Sequence, residues 1–278
     1  MWRKDANTLF NFSAICSITA LFAAQKFITR FSPSSSFVPT PLIYTPFVQV
    51  AGPENGGRQL AISDIHGCAL TFKALLEKVG LTKNDQLFIL GDLINRGPRS
   101  SEVVDHILFL MEDGYQVYTL RGNHEEILLH ISKTGPTELP LLLSTRNSMD
   151  MLNKKGKVKK RFLRFFRSLP YYFVLDDFYL VHAGFNLAAV NPLLDLHAMV
   201  WQRPFLLKDE LINGRRVVFG HHPRSIGKIK KAVEIKQAGI CIDNGCTHAY
   251  MGEGFGALVC LDLNTGEIWR KRNCEERL

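Results

Sequence analysis

The chain has 278 residues, of which 46% are apolar, and its 34 Lys and Arg outnumber its 26 Asp and Glu, giving a formal charge of +8. This apolar fraction excludes a chain too polar to fold, and 21 Gly and 12 Pro without a repeat exclude a collagen-like protein. The composition predicts a globular protein with one sizeable core or two small ones.

The first 57 residues are predicted to be a poorly ordered extension with a Pro-rich linker, and residues 58–278 to be the folded domain. Leu9–Ala24 is mostly apolar, but polar residues interrupt it, and it is shorter than the roughly twenty residues that span a bilayer. Five prolines between Ser32 and Pro53 favour an extended linker. No stable membrane span is expected; a targeting or membrane-associating segment is the alternative.

Six cysteines occur without a C-x-x-C pair, which argues against a zinc ribbon and against a disulfide framework. Reduced thiols are therefore expected, and with them a cytoplasmic location. No pattern in the sequence indicates an oligomeric state.

Apolar β-rich runs alternate with helical patterns from residue 59 onward, and this alternation predicts an α/β layered domain. The predicted strands are 59–63, 86–90, 115–120, 178–181, 216–219, 239–243, 257–263 and 267–271, and the predicted helices are 71–79, 100–112 and 125–132. The run Lys154–Arg167 contains eight basic residues and no acidic one. Its apolar spacing favours an exposed basic helix face, with binding of an acidic partner as the alternative.

Side chains that can bind metal follow each of the first five strands directly. Because the carboxyl ends of strands in an open α/β sheet meet in one crevice, these side chains are predicted to form one site. They are Asp64, His66, Asp92, Asn123, His182 and His221. Two carboxylates, three imidazoles and one amide suit Mn, Fe or Zn rather than calcium. Six ligands exceed what one catalytic ion needs, so two ions that share a carboxylate are expected, an arrangement suited to phosphoryl hydrolysis by a bridging hydroxide.

The sequence around these residues resembles the phosphoprotein phosphatase branch of the calcineurin-like metallophosphoesterases, over roughly residues 58 to 263. The resemblance rests on Ser63-Asp-Ile-His-Gly67, Gly91-Asp-Leu-Ile-Asn-Arg-Gly97, Arg121-Gly-Asn-His-Glu125, Val181-His-Ala-Gly184 and Phe219-Gly-His-His222. It implies a single-domain α-β-β-α sandwich. Small bacterial and phage Ser/Thr phosphatases are the most similar, with Val200-Trp-Gln-Arg203 matching their Trp-x-Arg segment, and diadenosine tetraphosphate hydrolases share the motifs.

The resemblance also implies a role for each matched residue. Asp64 and His66 would bind one ion, and Asp92 would bridge to a second ion held by Asn123, His182 and His221. Arg96 and Arg203 would grip the phosphate, and His124 would act as the general acid.

Two positions depart from the family pattern. Ser63 replaces a glycine, which we expect to be tolerated. Asn95 replaces the aspartate that pairs with the acid histidine, and an amide supplies no negative charge to hold the imidazolium form of His124. The sequence therefore predicts a weak but real hydrolase, unless another carboxylate, such as Glu125 or Asp243, takes over.

Three functions follow as hypotheses. The first is a phosphatase for phosphoserine and phosphothreonine in proteins, the second a dinucleoside polyphosphate hydrolase, and the third a binding module on a disabled scaffold. Residues 133–170 are expected to overhang the crevice and to set specificity. An anionic substrate accounts for the basic charge of the domain, and no nucleic-acid partner is expected.

Overall fold

Two five-stranded sheets and seven helices make up the computed structural model, which describes residues 46–135, 137–203, 205 and 211–275. The strands are β1 Phe47–Gln49, β2 Gln59–Ile62, β3 Gln86–Ile89, β4 Gln116–Thr119, β5 Tyr172–Val174, β6 Phe178–Val181, β7 Arg216–Phe219, β8 Gly239–Cys241, β9 Ala257–Asp262 and β10 Ile268–Arg272. The helices are α1 Ala69–Val79, α2 Ser100–Glu112, α3 Asn123–Thr134, α4 Leu139–Thr145, α5 Lys160–Ser168, α6 Leu196–Trp201 and α7 Ile226–Glu234. Within these ranges, no helix has both the length and the apolar character to cross a membrane.

Parallel pairing sets the edge at which the candidate site forms. One sheet has the order β10-β9-β2-β3-β4, in which β2, β3 and β4 run parallel, and the other has the order β1-β5-β6-β7-β8, in which β6, β7 and β8 run parallel. The carboxyl ends of three parallel strands in each sheet therefore lie at one edge of that sheet.

Successive residues of β2 and β3 enter different cores, as the twofold period of a strand requires. Leu60 and Ile62 pack in a core shared with α1 and α2, whereas Ala61 packs with residues of the second sheet. Across the two sheets, the rings of Phe88 and Phe173 lie 5.6 Å apart between centroids. A further core covers the outer face of the second sheet and includes Met199 of α6. The predicted α-β-β-α sandwich is confirmed.

Glu125 fastens the amino end of α3 to the carboxyl end of β3. Its buried carboxylate accepts hydrogen bonds from the backbone N–H groups of Gly122, Asp92 and Leu93, at 2.9, 3.0 and 2.9 Å. A carboxylate three residues into a helix satisfies N–H groups that have no partner within the helix. Glu125 thus joins the loops that carry Asp92 and Asn123, and it does not contact His124 as a substitute for Asn95.

Asp85 fastens the start of β2 to the loop before β3. The Arg58 backbone N–H, Nε and Nη2 donate to its carboxylate at 2.9, 3.0 and 2.7 Å, and the Thr82 backbone N–H and hydroxyl donate at 2.9 and 3.0 Å. Burial opposes the charge, but these hydrogen bonds lower the pKa of Asp85 below its usual value.

The ordered fold extends further toward the amino terminus than the predicted boundary at residue 58. β1 pairs in parallel with β5, so residues 47–49 are an edge strand and not part of a linker. Residues 1–45, which include the apolar run Leu9–Ala24 and most of the predicted extension, lie outside the described residues.

The basic run is helical over only part of its length. α5 starts at Lys160, and the chain before it turns, with Val158 bridged to Leu152. Phe162, Phe165 and Phe166 enter the core, and seven of the eight basic side chains of Lys154–Arg167 are exposed, which agrees with the predicted basic helix face.

We predict that Asp85→Asn lowers the free energy of unfolding by about 3 kcal/mol at neutral pH, because it removes a buried charge that five donors face. Since the pKa of Asp85 is depressed in the folded state, its contribution is present above about pH 4 and is lost as the pH falls. In urea unfolding, the free energy of unfolding of the variant should fall less steeply than that of the natural sequence as the pH is lowered from about 5 to about 3. Asp105→Asn, which removes an exposed pair with Arg161, is the control; equal effects of the two substitutions would contradict this account.

Glu125→Gln is expected to lower the free energy of unfolding by about 2 kcal/mol. The NH₂ group of the new amide would replace a carboxylate oxygen and face backbone N–H groups, which need an acceptor. Its chain neighbour gives a matched control: Glu126 is partly exposed and pairs with Arg121, so Glu126→Gln should change stability by less than about 1 kcal/mol. Thermal unfolding of both variants checks the difference, and a neutral Glu125→Gln would refute the fastening role.

Candidate active site

The loops that follow the parallel strands adopt an unusual backbone conformation. Positive φ angles occur at Asp64 (49°), His66 (49°), Asp92 (52°), Asn95 (72°), Arg96 (72°) and His221 (66°). Side chains other than glycine rarely adopt this region, and such residues cluster at functional sites. Six of the ten described non-glycine residues with positive φ therefore belong to the set that the sequence singled out; the other four are Asn55, Asn147, Asn213 and Lys236.

Two glycines allow the loops to approach the acidic side chains. A Cβ on Gly122 would lie 2.3 Å from Asp92 Oδ1, and a Cβ on Gly220 would lie 2.1 Å from Asp64 Oδ2. Any larger residue would therefore displace a carboxylate. In this arrangement the backbone N–H groups of His124 and His221 donate to Asp92 Oδ1 and Asp64 Oδ2, at 3.0 and 2.9 Å.

The first group of candidate ligands surrounds one oxygen of Asp92. His66 Nε2 lies 3.7 Å from Asp92 Oδ2 and 4.0 Å from Asp64 Oδ1, and His124 Nε2 lies 3.9 Å from Asp92 Oδ2. The Nδ1 atom of His66 lies 3.2 Å from the Ile94 carbonyl, which orients the ring so that Nε2 faces the acids. His124 was predicted to be the general acid and not a metal ligand, yet its ring lies beside this group of candidate ligands.

The second group surrounds the other oxygen of Asp92. His182 Nε2 lies 3.6 Å from Asp92 Oδ1 and 3.0 Å from His221 Nδ1, and its Nδ1 faces the Leu90 carbonyl at 2.8 Å. The side-chain oxygen of Asn123 lies 3.2 Å from both His182 Nε2 and His221 Nδ1 and 3.1 Å from Asp92 Oδ2. Asp92 therefore belongs to both groups, as a bridging carboxylate would.

The chemistry of these atoms fits a pair of cations. When His182 Nδ1–H donates to the Leu90 carbonyl, its Nε2 presents a lone pair, and Asn123 and Asp92 direct further acceptor oxygens at the same point. The amide of Asn123 can be placed with either atom inward, and the oxygen-inward orientation suits a cation. In each of two sets of residues, the possible ligand atoms all lie within 4.8 Å of one another. One set is His66, Asp92 and His124, and the other is Asp92, His182 and His221.

Burial and mutual charge control the protonation of the group. Burial lowers the pKa of His66 well below its usual value and, together with His182, lowers that of His221 to about 3, so both imidazoles are neutral and able to bind metal. Burial raises the pKa of Asp64 to about 6. In Asp92 the neighbouring imidazoles outweigh burial and lower the pKa, so Asp92 stays ionised to a lower pH than Asp64 does.

His124 has a neutral partner. Its Nδ1 lies 2.7 Å from the Asn95 amide nitrogen, while Asn95 Oδ1 is buried without a hydrogen bond. Exchanging the two amide atoms would direct the oxygen at Nδ1, but neither orientation supplies a negative charge. Burial lowers the pKa of His124 to about 4, and Arg96 and Arg146 oppose its charged form.

A polar cavity of about 60 Å³ opens beside the two groups, and six of the nine residues that line it are site residues that the sequence predicted. Its lining comprises Asp64, His66, Asp92, Arg96, Arg203, His221, Pro223, Asp243 and His248. The guanidinium of Arg203 donates from Nε to His221 Nε2 at 2.8 Å and from Nη2 to the His221 carbonyl at 2.9 Å. Arg96 Nη1 contacts the ring nitrogens of His248.

Asp243 and His248 come from the chain that follows β8. Asp243 is buried, and burial together with Asp64 raises the pKa of its carboxyl well above the usual value. It lies at the end of the predicted strand 239–243, so the strand-end rule that selected Asp92 and His182 could also have selected Asp243. His248 lies on a loop without such a signal.

Residues 133–170 do not line the cavity at any described position. They reach the site through the backbone, since Arg96 N–H donates to the Arg146 carbonyl at 2.8 Å, and through Ser148, whose hydroxyl lies 2.7 Å from that of Ser100. Apolar residues of this segment pack in the core beside α2 and α3. Arg146 of this segment is near enough to His124 to oppose its charged form, and the expectation that the segment overhangs the crevice and sets specificity stays a prediction.

Curated relatives with similar sequences are dinucleoside tetraphosphatases. An asymmetrical bis(5'-nucleosyl)-tetraphosphatase of Bacillus subtilis strain 168 is 35% identical over 137 residues, covering 44% of this chain and 56% of the relative. A symmetrical enzyme of Buchnera aphidicola (subspecies Acyrthosiphon pisum, strain Tuc7) is 46% identical over 98 residues, covering 33% of this chain and 35% of the relative. The matches thus span about half or less of these relatives.

Solved structures with the same fold include enzymes for different substrates. A Ser/Thr protein phosphatase of Saccharomyces cerevisiae similar to human PP5 aligns with a TM-score of 0.57 and 17% identity, over 84% of this chain and 85% of that one. A candidate diadenosine tetraphosphatase aligns with a TM-score of 0.54 and 23% identity, over 82% of this chain and 97% of that one. At these identities, the likeness concerns the fold.

The sequence profile of the calcineurin-like phosphoesterases matches residues 57–258, which include every candidate ligand and both cavity arginines. This match covers well over half of the chain. The protein therefore belongs to the calcineurin-like phosphoesterase family, whose enzymes depend on two metal ions.

Proposed function

We propose that this protein is a dinuclear metal-dependent hydrolase that cleaves phosphoric anhydrides in nucleoside polyphosphates, of which dinucleoside tetraphosphates are the leading class. The observation that carries the proposal is the neutral partner of His124, because without a negative charge beside it the ring of His124 is seldom protonated at neutral pH and seldom available as a general acid. The tetraphosphatase relatives support the same substrate class.

In this proposal, Asp64, His66 and Asp92 hold one ion, and Asp92, Asn123, His182 and His221 hold the second. Two bound ions would supply an activated hydroxide and Lewis-acid stabilisation of the phosphoryl oxygens. The ions are expected to be Mn, Fe or Zn, because the imidazoles and carboxylates form a mixed nitrogen and oxygen set.

The protein's own cations orient the substrate. Arg96 and Arg203 extend from opposite loops into the cavity, and a planar guanidinium can donate two parallel hydrogen bonds to a phosphate. Both side chains belong to exposed residues at the mouth, where several negative charges of a polyphosphate would be accommodated. Three aspartates, Asp64, Asp92 and Asp243, also line the cavity, and the arginines must offset the repulsion between their negative charge and a bare anion.

The fraction of His124 that is protonated at neutral pH would select between leaving groups. A serine alkoxide is nearly as basic as hydroxide, the conjugate base of water with a pKa of about 15.7, and it needs a proton as the phosphorus–oxygen bond breaks. A departing phosphate has a last pKa of about 6 and needs almost none. Because the pKa of His124 is lowered to about 4 and its partner is an amide, we expect the site to cleave anhydrides in preference to esters of serine.

The second candidate is a phosphatase for phosphoserine and phosphothreonine in proteins. It rests on the motif resemblance, and the fold likeness to the yeast Ser/Thr phosphatase is compatible with it. In that case His124 would protonate the serine oxygen and would need a stronger partner than Asn95. The third hypothesis, a binding module without activity, predicts metal binding with no turnover.

Substrate preference should separate the candidates. We expect Mn²⁺-stimulated hydrolysis of diadenosine tetraphosphate to exceed that of a phosphoserine peptide by at least about 100-fold in kcat/KM, because the peptide alone demands a general acid. Substituting Asn95→Asp should raise turnover of the peptide by about 10²–10⁴ and leave the anhydride nearly unchanged. Preferred cleavage of the peptide by the natural sequence would contradict the proposal, and silence on both substrates with metal bound would favour the third hypothesis.

Metal content tests the shared carboxylate independently of the substrate. Asp92→Asn is expected to reduce bound metal from about two ions per chain to one or fewer, with activity lowered by at least about 100-fold, since both groups lose an ionised ligand. Elemental analysis after dialysis gives the stoichiometry. Asp105→Asn, on the exposed face of α2, should keep both metal and activity. Retention of two ions by Asp92→Asn would rule out bridging.

A further inference from the structure

An exposed aromatic side chain with no role in the chemistry proposed above lies beside His248, which lines the polar cavity. Tyr250 is 81% exposed and belongs to a 3-10 turn, Ala249–Met251. Its ring centroid lies 5.5 Å from that of His248, with an angle of 44° between the ring planes.

His248 connects this tyrosine to the cations of the cavity. Its ring lines the cavity together with Arg96 and Arg203, and its nitrogens contact Arg96 Nη1. Burial and the two arginines lower the pKa of His248 to about 4, so the ring is a neutral aromatic surface at physiological pH. From the cavity outward, the order is therefore guanidinium, imidazole and phenol ring.

The loop that carries both rings is held in place. The Asn244 amide donates to the carbonyls of Arg224 and Gly254 at 2.8 and 2.7 Å and accepts from Arg270 Nε at 3.2 Å. The returning limb of the loop packs against the turn, since a Cβ on Gly256 would lie 2.7 Å from the Ala249 Cβ. An aromatic side chain on a pre-organised loop binds a flat ligand with little further loss of conformational entropy.

The chemistry of this order matches a nucleotide rather than a bare phosphate. Phosphate groups suit the guanidinium groups of Arg96 and Arg203, and a planar heterocycle suits the exposed face of a phenol ring. Stacking of a base on an aromatic side chain tolerates any base, because every base has a π face.

We propose that Tyr250 and His248 form a nucleobase-binding subsite, in which the base of a nucleoside polyphosphate stacks on Tyr250 while its phosphates meet Arg96 and Arg203. This inference rests on the proposed function and specifies which part of the substrate lies outside the cavity. It also implies little discrimination between adenine and guanine.

The test compares ligands with and without a base. Titration calorimetry of the full chain with Mn²⁺ should show that Tyr250→Ala weakens binding of adenosine 5′-monophosphate by between about 5-fold and 100-fold, while the affinity for inorganic phosphate stays the same. In turnover, the same variant should raise KM for diadenosine tetraphosphate by a similar factor and leave KM for inorganic tripolyphosphate unchanged. Tyr250→Phe keeps the ring and should restore both values.

A second exposed pair provides the matched control. Phe109 on α2 is 57% exposed and stacks on His106 at 6.3 Å between centroids, and neither residue lines the cavity. Phe109→Ala should leave the affinities for adenosine 5′-monophosphate and inorganic phosphate unchanged. It should also leave KM for diadenosine tetraphosphate and for inorganic tripolyphosphate unchanged.

Equal losses for base-containing and base-free ligands in Tyr250→Ala would overturn the subsite, since Tyr250 would then act by positioning Arg96. Unchanged binding of the monophosphate would overturn it as well. Neither result would affect the proposed function, which fails only if the natural sequence does not cleave anhydrides.

Discussion

The buried carboxylate of Asp92 is the constraint on which the rest of the site depends. Its two oxygens face separate sets of imidazoles, with His66 and His124 near one oxygen and His182 near the other. Burying a charged carboxylate costs free energy, and the surrounding imidazoles keep the pKa of Asp92 low despite its burial. The fold supplies this setting by ending parallel strands from two sheets at one edge, while Glu125 and Gly122 hold the Asp92 loop close to the start of α3. The strained backbone of the ligand loops is compatible with that arrangement, because several independent hydrogen bonds fix each loop.

The same arrangement explains how one family can serve different leaving groups. In the proposed function, the metal-binding side chains would determine where a phosphoryl group is attacked, whereas the partner of His124 would determine how basic the leaving group can be. Asn95 changes only the second property, since it lies behind His124 and outside the two ligand sets. Our proposal therefore treats a site with all six candidate ligands and a sparsely protonated His124 as selective rather than disabled. With the exposed Arg96 and Arg203, and with Tyr250 beside His248, the proposal extends this selectivity toward an anionic substrate that also has a flat, uncharged end.

Much of this could be predicted from the sequence where a local pattern has a direct structural meaning. Strands such as β2, β6 and β7 are apolar runs bounded by turns, and the polar residue after each strand identifies the crevice because parallel strands end together. β1 and β5 were not predicted, since three residues give no usable period and proline precedes each of them. His248 was not placed because its position depends on a loop fixed by Asn244 and Gly256 rather than on a strand end. The roles of the six ligands, Arg96, Arg203 and His124 stay predictions, and the structure shows that their side chains lie around one cavity or directly behind it.

Electron paramagnetic resonance of the Mn²⁺-loaded protein tests the central claim most directly, because it reports whether two ions share a ligand. The account predicts an exchange-coupled signal from two manganese ions per chain, which Asp92→Asn would convert into the signal of isolated ions. A natural-sequence protein that binds two Mn²⁺ ions yet shows only the six-line spectrum of isolated ions would contradict the claim that one carboxylate organises both.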